Sequence, residues 1–440
     1  MDGARLKAGT AHSLVENYFF AALFNRETGI YAWKHTRPVW VMEDGQWVRY
    51  RRRLRRREWI ETYMRIQTKS GKTLPLKLNA TQRQVECMML RLERLGLPVR
   101  ITLAKARQLG LSTYVEAVAF YEMMTSSQTK VLLVGDNKDR AKMLLEIANI
   151  ARNHMPKTVD SESGEEVPWK FRMRSKARYT LEWDEPLSSQ IVVASAEEPE
   201  PGQGGTRRVV HLSESASNSY TQEKIGNILP SLPTLPGTYG FNESTPNGGS
   251  GWFFEVFMSS WREREQPLLE RKHPWIAMFF PSWSHAEYVW TKTYGYGREL
   301  TDTMRAEISR TLSKDEEWIL RQRYMRRWTP DDEWQAVSLP GGGVKWSRVG
   351  VGPCSVDLDH IAWRRSKIGD AEIHGDIDLF NQEYAKDPET MFLSSGRPVY
   401  DRAILMEMVE KCVEPWRGDI DLGQEALPEW RGLEWNNASS

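Results

Sequence analysis

In the stretch "ITLAKARQLGLST", Ile101 to Thr113, an apolar run ends in two cations, Lys105 and Arg107, turns at Gly110 and continues into Ser112 and Thr113. These residue types suit the grip of a loop on a polyphosphate: backbone N–H groups wrap the phosphates, an ammonium neutralises them and a hydroxyl holds Mg²⁺. The usual order of such a loop, G-x-x-x-x-G-K-[ST], is altered here. Aligned on Gly110 and Ser112, the loop has Leu111 in place of the lysine and Lys105 in place of the first glycine. A flexible four-carbon ammonium at the front of the loop can reach the same phosphates, and Arg107 adds a second cation that could take over the role. Ser112 is the expected metal hydroxyl, with Thr113 the alternative if the register shifts by one.

A second segment, "RRVVHLSESA", is an apolar strand ending at Ser213 and Glu214. In nucleotide hydrolases the strand beside the phosphate-loop strand ends in carboxylates, one for the metal shell and one for the attacking water. Glu214 fits the base. Ser213 stands where an acid is expected, which leaves it at most a water-bridged hydroxyl contact with the metal, and no neighbour is obvious as a replacement carboxylate. A third segment, "GFNESTPNGGSGWFFE", reads as a strand followed by a Gly-rich turn, placing Ser244, Thr245 and Pro246 at the carboxyl edge of a sheet. Taken singly, each segment also reads as an ordinary loop or strand end.

The elements that must position these groups follow in a regular order. "YMRIQTKSGKTLPLKL" has two extended pieces around Ser70 and Gly71, a hairpin pattern. Asn79 to Gly96 has helical periodicity, with Asn79 as N-cap and Gly96 as stop. The strands "VRITLA", "KVLLVGD", "RYTLEW", "SQIVVAS", "VVHL", "GTYGFNES" and "HPWIAMFF" then alternate with helical stretches, the pattern of a mostly parallel α/β sheet. Beyond about Thr301 the chain reads as helical and charged, with a Gly-rich insertion at "LPGGGVKW".

A chain of 440 residues that is 40% hydrophobic can bury a large core and has room for two or three domains. No apolar run is long enough to span a bilayer and the N-terminus lacks a signal-like apolar core, so an intracellular location is expected. Cys87, Cys354 and Cys412 lie far apart with no CxxC pair, which argues against a disulfide framework or a zinc site. The net charge of +1 hides the run "RYRRRLRRR", seven arginines in nine positions. Arg51, Arg52, Arg53, Arg55, Arg56 and Arg57 are candidate phosphate contacts to a nucleic acid; the other reading is a solvated face tethered by Tyr50, Leu54 and Trp59. The nineteen tryptophans are scattered among apolar neighbours and read as packing.

Together, "LNATQRQ", "KARQLGLST", "VVHLSESA", "ESTPNGGSGWFFE" and "FNQEYAKDPETMFLSSGRPVYD" resemble, in order and spacing, the ATPase part of the terminase large subunit of tailed bacteriophages. The resemblance covers about Glu61 to Asp401. It implies an α/β P-loop NTPase of the additional-strand catalytic-glutamate type, with a mostly parallel sheet flanked by helices, a helical, basic N-terminal segment and a helical C-terminal subdomain. It further implies that Gln82 reads the adenine edge and that Lys105, Ala106, Arg107, Gln108, Leu109, Gly110, Leu111, Ser112 and Thr113 form the variant phosphate loop. Lys105, Arg107 and Glu214 would then be catalytic. Ser244, Thr245 and Pro246 would be the coupling motif, and Ser112, Glu214 and, through water, Ser213 would serve the metal. The implied cofactors are ATP and Mg²⁺.

The implied activity is ATP-driven packaging of double-stranded viral DNA into a procapsid, in the host cell cytoplasm and without retention in the mature virion. Its partners would be that DNA, the portal protein, the terminase small subunit and copies of the chain in a ring on the procapsid, with a monomer in solution. The expected division is 1–62 as an N-terminal segment, 63–300 as the ATPase core, 301–400 as a helical lid and 401–440 as a linker. Members of this family usually continue into a two-metal nuclease, and nothing after Asp401 supplies that fold, so nuclease activity is not expected from this chain. Asp357 and Asp359, an acidic pair, read instead as the start of a helix. Two other readings compete: a helicase-like translocase on the same core, and a non-hydrolysing adaptor that binds DNA or the portal with a decayed phosphate loop.

Overall fold

The structure is a computed structural model. It describes residues 54–392 except 69–70, 156–178, 185–186, 203, 286–287, 291–298, 323–355, 374–376 and 378. Outside these it gives the backbone alone at 36–43, 46–53, 158–160, 166–168, 173–177, 323–325, 334–338, 344–348, 353–355, 378, 393, 418–422 and 433–437. The chain divides into two compact units, Met1–Ser395 and Gly396–Ser440.

In the first unit the described residues begin with an antiparallel hairpin, β1 (Thr36–Glu43) and β2 (Gln46–Arg53), followed by helix α1 (Arg56–Tyr63). Of the N-terminal segment expected to be helical, the described residues are extended at β1 and β2 and helical at α1. The β-branched and aromatic residues Val39, Trp40 and Val41 on one strand and Val48 and Tyr50 on the other suit β pairing, with Val39 opposite Tyr50 and Val41 opposite Val48. Strands β3 (Arg65–Gln67) and β4 (Thr73–Pro75) form the short hairpin expected around Gly71. Helix α2 (Ala80–Arg94) starts at Asn79, whose side chain accepts the N–H of Gln82 while the Gln82 side chain accepts the N–H of Asn79, a reciprocal capping box.

The main sheet is laid down by β5 (Val99–Lys105), then, after helix α3 (Leu111–Thr125), by β6 (Lys130–Gly135). Helix α4 (Lys138–Asn153) follows, capped by Asn137. Next come the short pair β7 (Thr158–Asp160) and β8 (Glu166–Pro168), then β9 (Met173–Ala177), β10 (Thr180–Trp183), β11 (Gln190–Ser195) and β12 (Val209–Ser213). Helix α5 (Gln222–Ile228) leads to β13 (Tyr239–Ser244), helix α6 (Trp252–Arg262) and β14 (Ile276–Phe280). The strands make one eight-stranded sheet in the order β14-β5-β13-β12-β6-β11-β10-β9. The strands from β14 to β11 are parallel, and β10 and β9 add an antiparallel edge.

Parallel strands with crossover helices need both faces covered, which explains their largely apolar character. Alternate residues serve opposite faces. Val99, Ile101, Leu103, Val131 and Leu133 join the core with α3 residues such as Tyr114, Val118 and Phe120, whereas Leu132, Val134, Val210 and Leu212 pack with Ile225 and Ile228 of α5. Each large side chain so buried contributes about 1.5–3 kcal/mol.

Beyond the sheet lie α7 (Asp302–Arg310) and α8 (Lys314–Leu320), then the backbone pairs of β15 (Arg323–Met325) with β18 (Pro353–Ser355) and of β16 (Trp334–Ser338) with β17 (Val344–Arg348). The Gly-rich insertion is thus flanked by strands, so this region is not purely helical. Helix α9 (Leu358–Ile373) places Asp359 in its first turn, as expected, paired with Arg305 at 2.8 Å. Helices α10 (Ile377–Glu383) and α11 (Pro388–Leu393) follow; Met391 and Phe392 pack with Phe253, Phe257 and Ala104 at the sheet. In the second unit the described backbone is one hairpin, β19 (Gly418–Leu422) with β20 (Leu433–Asn437). Among the described residues no helix is long and apolar enough to cross a membrane.

Candidate nucleotide site at the carboxyl edge of the sheet

Because β5, β13 and β12 run parallel and adjacent, their carboxyl ends bring Lys105, Ser244 and Ser213 to one edge of the sheet. This corrects one expectation. The strand ending at Ser213 is not beside the phosphate-loop strand: β13 lies between them, pairing Ser244 with Ala104 on one side and Glu243 with Ser213 on the other. An inserted strand between a phosphate-loop strand and a glutamate-bearing strand makes this an α/β P-loop NTPase fold of the additional-strand type.

Lys105 is 5% exposed, and its ammonium lies 3.1 Å from Glu214 and 3.1 Å from Glu243. Burial works against its charge, but the two carboxylates outweigh that and hold its pKa above the ordinary lysine value. Glu214 sits just past the end of β12 with φ of 54°, a left-handed conformation that is uncommon for a residue with a side chain and clusters at functional sites. One of its oxygens faces Lys105. The other accepts the N–H and the hydroxyl of Thr245, each at 3.1 Å. Ser244 Oγ is also 3.1 Å from that oxygen and 2.6 Å from the Thr245 carbonyl, so its single proton serves one acceptor at a time.

Sequence reasoning missed Glu243. It is fully buried at the end of β13 and accepts the hydroxyls of Ser112 at 2.7 Å and Ser213 at 2.8 Å on one oxygen. Behind it, His211 Nε2 lies 3.4 Å away, and His211 Nδ1 is 2.8 Å from Glu116 of α3. Burial opposes ionisation of Glu243, but Lys105 first, then His211 and the Ser112 hydroxyl, hold its pKa below the usual carboxylate range. For His211, burial is outweighed by Glu116 and Glu243, which push it up to about 9. The only sequence signal was the quoted "FNES", where an acid precedes Ser244; the spacing gave no reason to connect it with Ser112.

The phosphate loop is braced from below. Gly110, at φ of 71°, begins α3, and a side chain there would meet Gln82 Nε2 at 3.0 Å. Gln82 donates to the Gly110 carbonyl at 2.7 Å and Asn79 donates to the Leu109 carbonyl at 2.9 Å, so Gln82 has a bracing task that the sequence did not suggest. Gln108 also has positive φ, which tightens the turn. The N–H groups of Ala106 and Arg107 are already bonded, to the carbonyls of Phe280 and Glu383, each within 3.0 Å. The N–H groups of Leu111, Ser112 and Thr113 have no acceptor within the helix, whereas that of Tyr114 is bonded to the Gly110 carbonyl, so the first three can meet an anion. Ser112 and Thr113 diverge: Thr113 lines a cavity of about 140 Å³ with Arg65, Ile66, Met143 and Ile147.

Arg107 is not gathered with Lys105. Its guanidinium is half exposed and pairs with Glu383 of α10 at 2.9 Å, while Tyr288 donates to its carbonyl. The neighbouring Gln382 donates to the Pro246 carbonyl, so the end of α10 touches both the loop that holds Arg107 and the segment that follows β13. In the arginine run, the side chains of Arg51, Arg52 and Arg53 lie outside the described residues. Arg55 is exposed, and Arg57 is partly so. Arg56 is a correction: it is 6% exposed and bonded to Glu86 at 2.9 Å and Glu93 at 2.6 Å, so it is a core ion-pair member and not a contact for DNA.

No family model matches this chain, and no curated protein matches it. Among solved structures it is similar to the large terminase ATPase domain of Thermus phage P74-26, at 18% identity over 47% of this chain and 88% of that one, with a TM-score of 0.32. It is similar to the HK97 bacteriophage large terminase at 12% identity over 60% of this chain and 53% of that one, with a TM-score of 0.38. It is also similar to the Phi-28 gp11 DNA packaging motor, at 8% identity over 71% of this chain and 98% of that one, with a TM-score of 0.29. The chain thus spans about half the length of the HK97 protein and most of the other two.

Proposed function

We propose that this chain is the ATP-hydrolysing subunit of a viral DNA-packaging motor, with Lys105 as the phosphate cation and Glu214 as the base. The observation that carries this reading is the contact of Glu214 with Lys105 on one oxygen and with Thr245 on the other. Phosphate oxygens arriving at the first turn of α3 would compete with Glu214 for the Lys105 ammonium. Glu214 would then be free to take a proton from water as the water oxygen bonds the γ-phosphorus and the bond to the β-phosphate oxygen breaks, giving ADP and phosphate. A change in the charge or position of Glu214 would be felt directly by Ser244 and Thr245, and through Pro246 by Gln382, a short route from hydrolysis to movement.

Hydroxyl and carboxylate oxygens at this edge suit a hard cation such as Mg²⁺, which takes few protein ligands and keeps phosphates and waters. Ser112 would hold it, with Glu214 and, through water, Ser213 as the further contacts that the resemblance implies. When bound, the ion supplies neutralisation of the charge that develops on the phosphate oxygens. Gln82 retains one amide hydrogen and one lone pair for the adenine edge alongside its bracing bonds.

Double-stranded DNA, the portal, the small subunit and a ring of identical chains on the procapsid, in the host cytoplasm, follow as proposals from the ordered motif set. So does the division at 62, 300 and 400. DNA-stimulated ATP turnover, measured with Glu214→Gln as control, tests the reading. Turnover that DNA stimulates and the variant loses supports it; a wild-type chain that binds DNA without hydrolysing ATP would make it an adaptor. Strand separation by the wild type would favour a helicase.

A further inference from the structure

The place where an acid would serve the metal holds Ser213, yet the buried environment around it is arranged for a carboxylate. Ser213 and Glu243 are register partners on β12 and β13. Neighbouring strands lie about 4.8 Å apart, a gap that a glutamate side chain can cross, and the short serine leaves the space open. Glu243 fills it. Its Oε1 accepts the Ser112 and Ser213 hydroxyls together, at 2.7 and 2.8 Å. Its Oε2 is buried and faces Lys105 at 3.1 Å, with no donor at hydrogen-bonding angle among the described residues.

The surrounding groups favour a negative charge at this point. His211, fully buried, stands 3.4 Å behind Glu243 and is itself held by Glu116 at 2.8 Å. A carboxylate placed at full burial is costly unless it is paired and hydrogen-bonded. Here two hydroxyls and an ammonium meet that requirement, and a chain of side chains from α3 through β12 fixes the orientation.

We infer that Glu243 is the positioning carboxylate of the metal side of this site, supplied by the neighbouring strand in place of an acid at Ser213. It acts through the Ser112 hydroxyl: by accepting that proton it turns the oxygen lone pairs of Ser112 outward, toward the ion. Ser213 then serves as a bracket for Glu243 and not as a metal contact of its own. The inference rests on the nucleotide-site reading above and narrows it, because Glu214 is left for the water and Glu243 for the metal.

The test is binding, independent of turnover. ADP affinity is measured in EDTA and again with Mn²⁺ as the probe ion, and bound Mn²⁺ is counted by its electron paramagnetic resonance signal. Outer-sphere partners of metal ligands are commonly worth 10–100-fold in metal affinity. Glu243→Gln should therefore weaken Mn²⁺ in the ADP complex by about that factor, while ADP affinity in EDTA changes little. Glu214→Gln should move Mn²⁺ affinity much less. Since Glu243→Gln alters a buried ion pair, unfolding curves accompany it, and the double variant Ser213→Asp with Glu243→Gln provides a second arm. Returning the carboxylate to β12 should restore Mn²⁺ affinity. Unchanged Mn²⁺ affinity in folded Glu243→Gln, a larger loss in Glu214→Gln, or no recovery in the folded double variant would each overturn the inference. Failure of the wild type to bind ADP at all, in EDTA or with Mn²⁺, would overturn the nucleotide-site reading as well.

Discussion

The ammonium of Lys105 and a carboxylate oxygen of Glu214 lie 3.1 Å apart although 109 residues separate them in the chain. The same ammonium is 3.1 Å from Glu243, so one buried cation serves two acids. With this geometry, Lys105→Ala leaves Glu214 and the buried Glu243 without their shared cation. Breaking a buried pair in this way costs about 3–5 kcal/mol. Urea denaturation should show that loss, and at a temperature where the variant is folded ATP hydrolysis should be absent. Wild-type stability and turnover in Lys105→Ala would remove Lys105 from the site.

Glu214→Gln keeps the size of the side chain and loses the base. ATP affinity should stay within a few-fold while turnover falls by about 10²-fold or more, the scale of a positioned base. Steady-state kinetics and nucleotide titration separate the two. Normal turnover in the variant would reduce the Glu214 contacts to a strand-end arrangement.

Thr245 gives Glu214 both an N–H and a hydroxyl bond at 3.1 Å. Thr245→Val keeps the shape and the N–H and removes the hydroxyl. Losing one hydrogen bond to a charged group is worth roughly 1.5–3 kcal/mol. If the full effect fell on the transition state, kcat would drop by about 10–100-fold with KM little changed. The measurement that addresses coupling is the ratio of DNA-stimulated to basal turnover, which should fall in Thr245→Val. A retained ratio would place the coupling elsewhere.

The arginine run should divide in its effects. Arg56→Met should lower stability by about 3–5 kcal/mol through the unpaired Glu86 and Glu93, and leave the salt slope of DNA binding as in the wild type. Replacing Arg51, Arg52 and Arg53 together should lower that slope by roughly 0.9 for each DNA phosphate that is no longer neutralised. An unchanged slope in the triple variant would make the run a protein-docking or solvated face.

Arg107 pairs with Glu383 at 2.9 Å while 58% exposed, so its ion pair is worth at most about 1 kcal/mol. Arg107→Ala should therefore reduce turnover far less than Lys105→Ala in the same assay. An equal loss would mean that Arg107 leaves Glu383 to reach the phosphates.

Much of this fold was readable in the residues themselves. The mainly apolar runs at Val99–Lys105, Lys130–Gly135 and Val209–Ser213 are strands because a parallel sheet covered on both faces buries most residues of its strands, and Asn79 and Gly96 bound their helix by local backbone chemistry. Lys105, Ser112, Glu214, Ser244 and Thr245 were marked by type and spacing within single segments, which is information that a local pattern carries. What the pattern could not carry was lateral order. That β13 lies between β5 and β12, and that Glu243 consequently faces Ser213, depends on how the strands assemble and on register, set by packing over the whole sheet. Arg56 makes the same point: seven arginines in one short run look alike in sequence, and only the positions of Glu86 and Glu93 on a distant helix select one of them for the interior. Local propensity and periodicity decided the elements and their candidate chemistry, whereas the pairing of charges across elements was decided by tertiary structure, because an electrostatic partner is chosen by distance in space and not by separation along the chain.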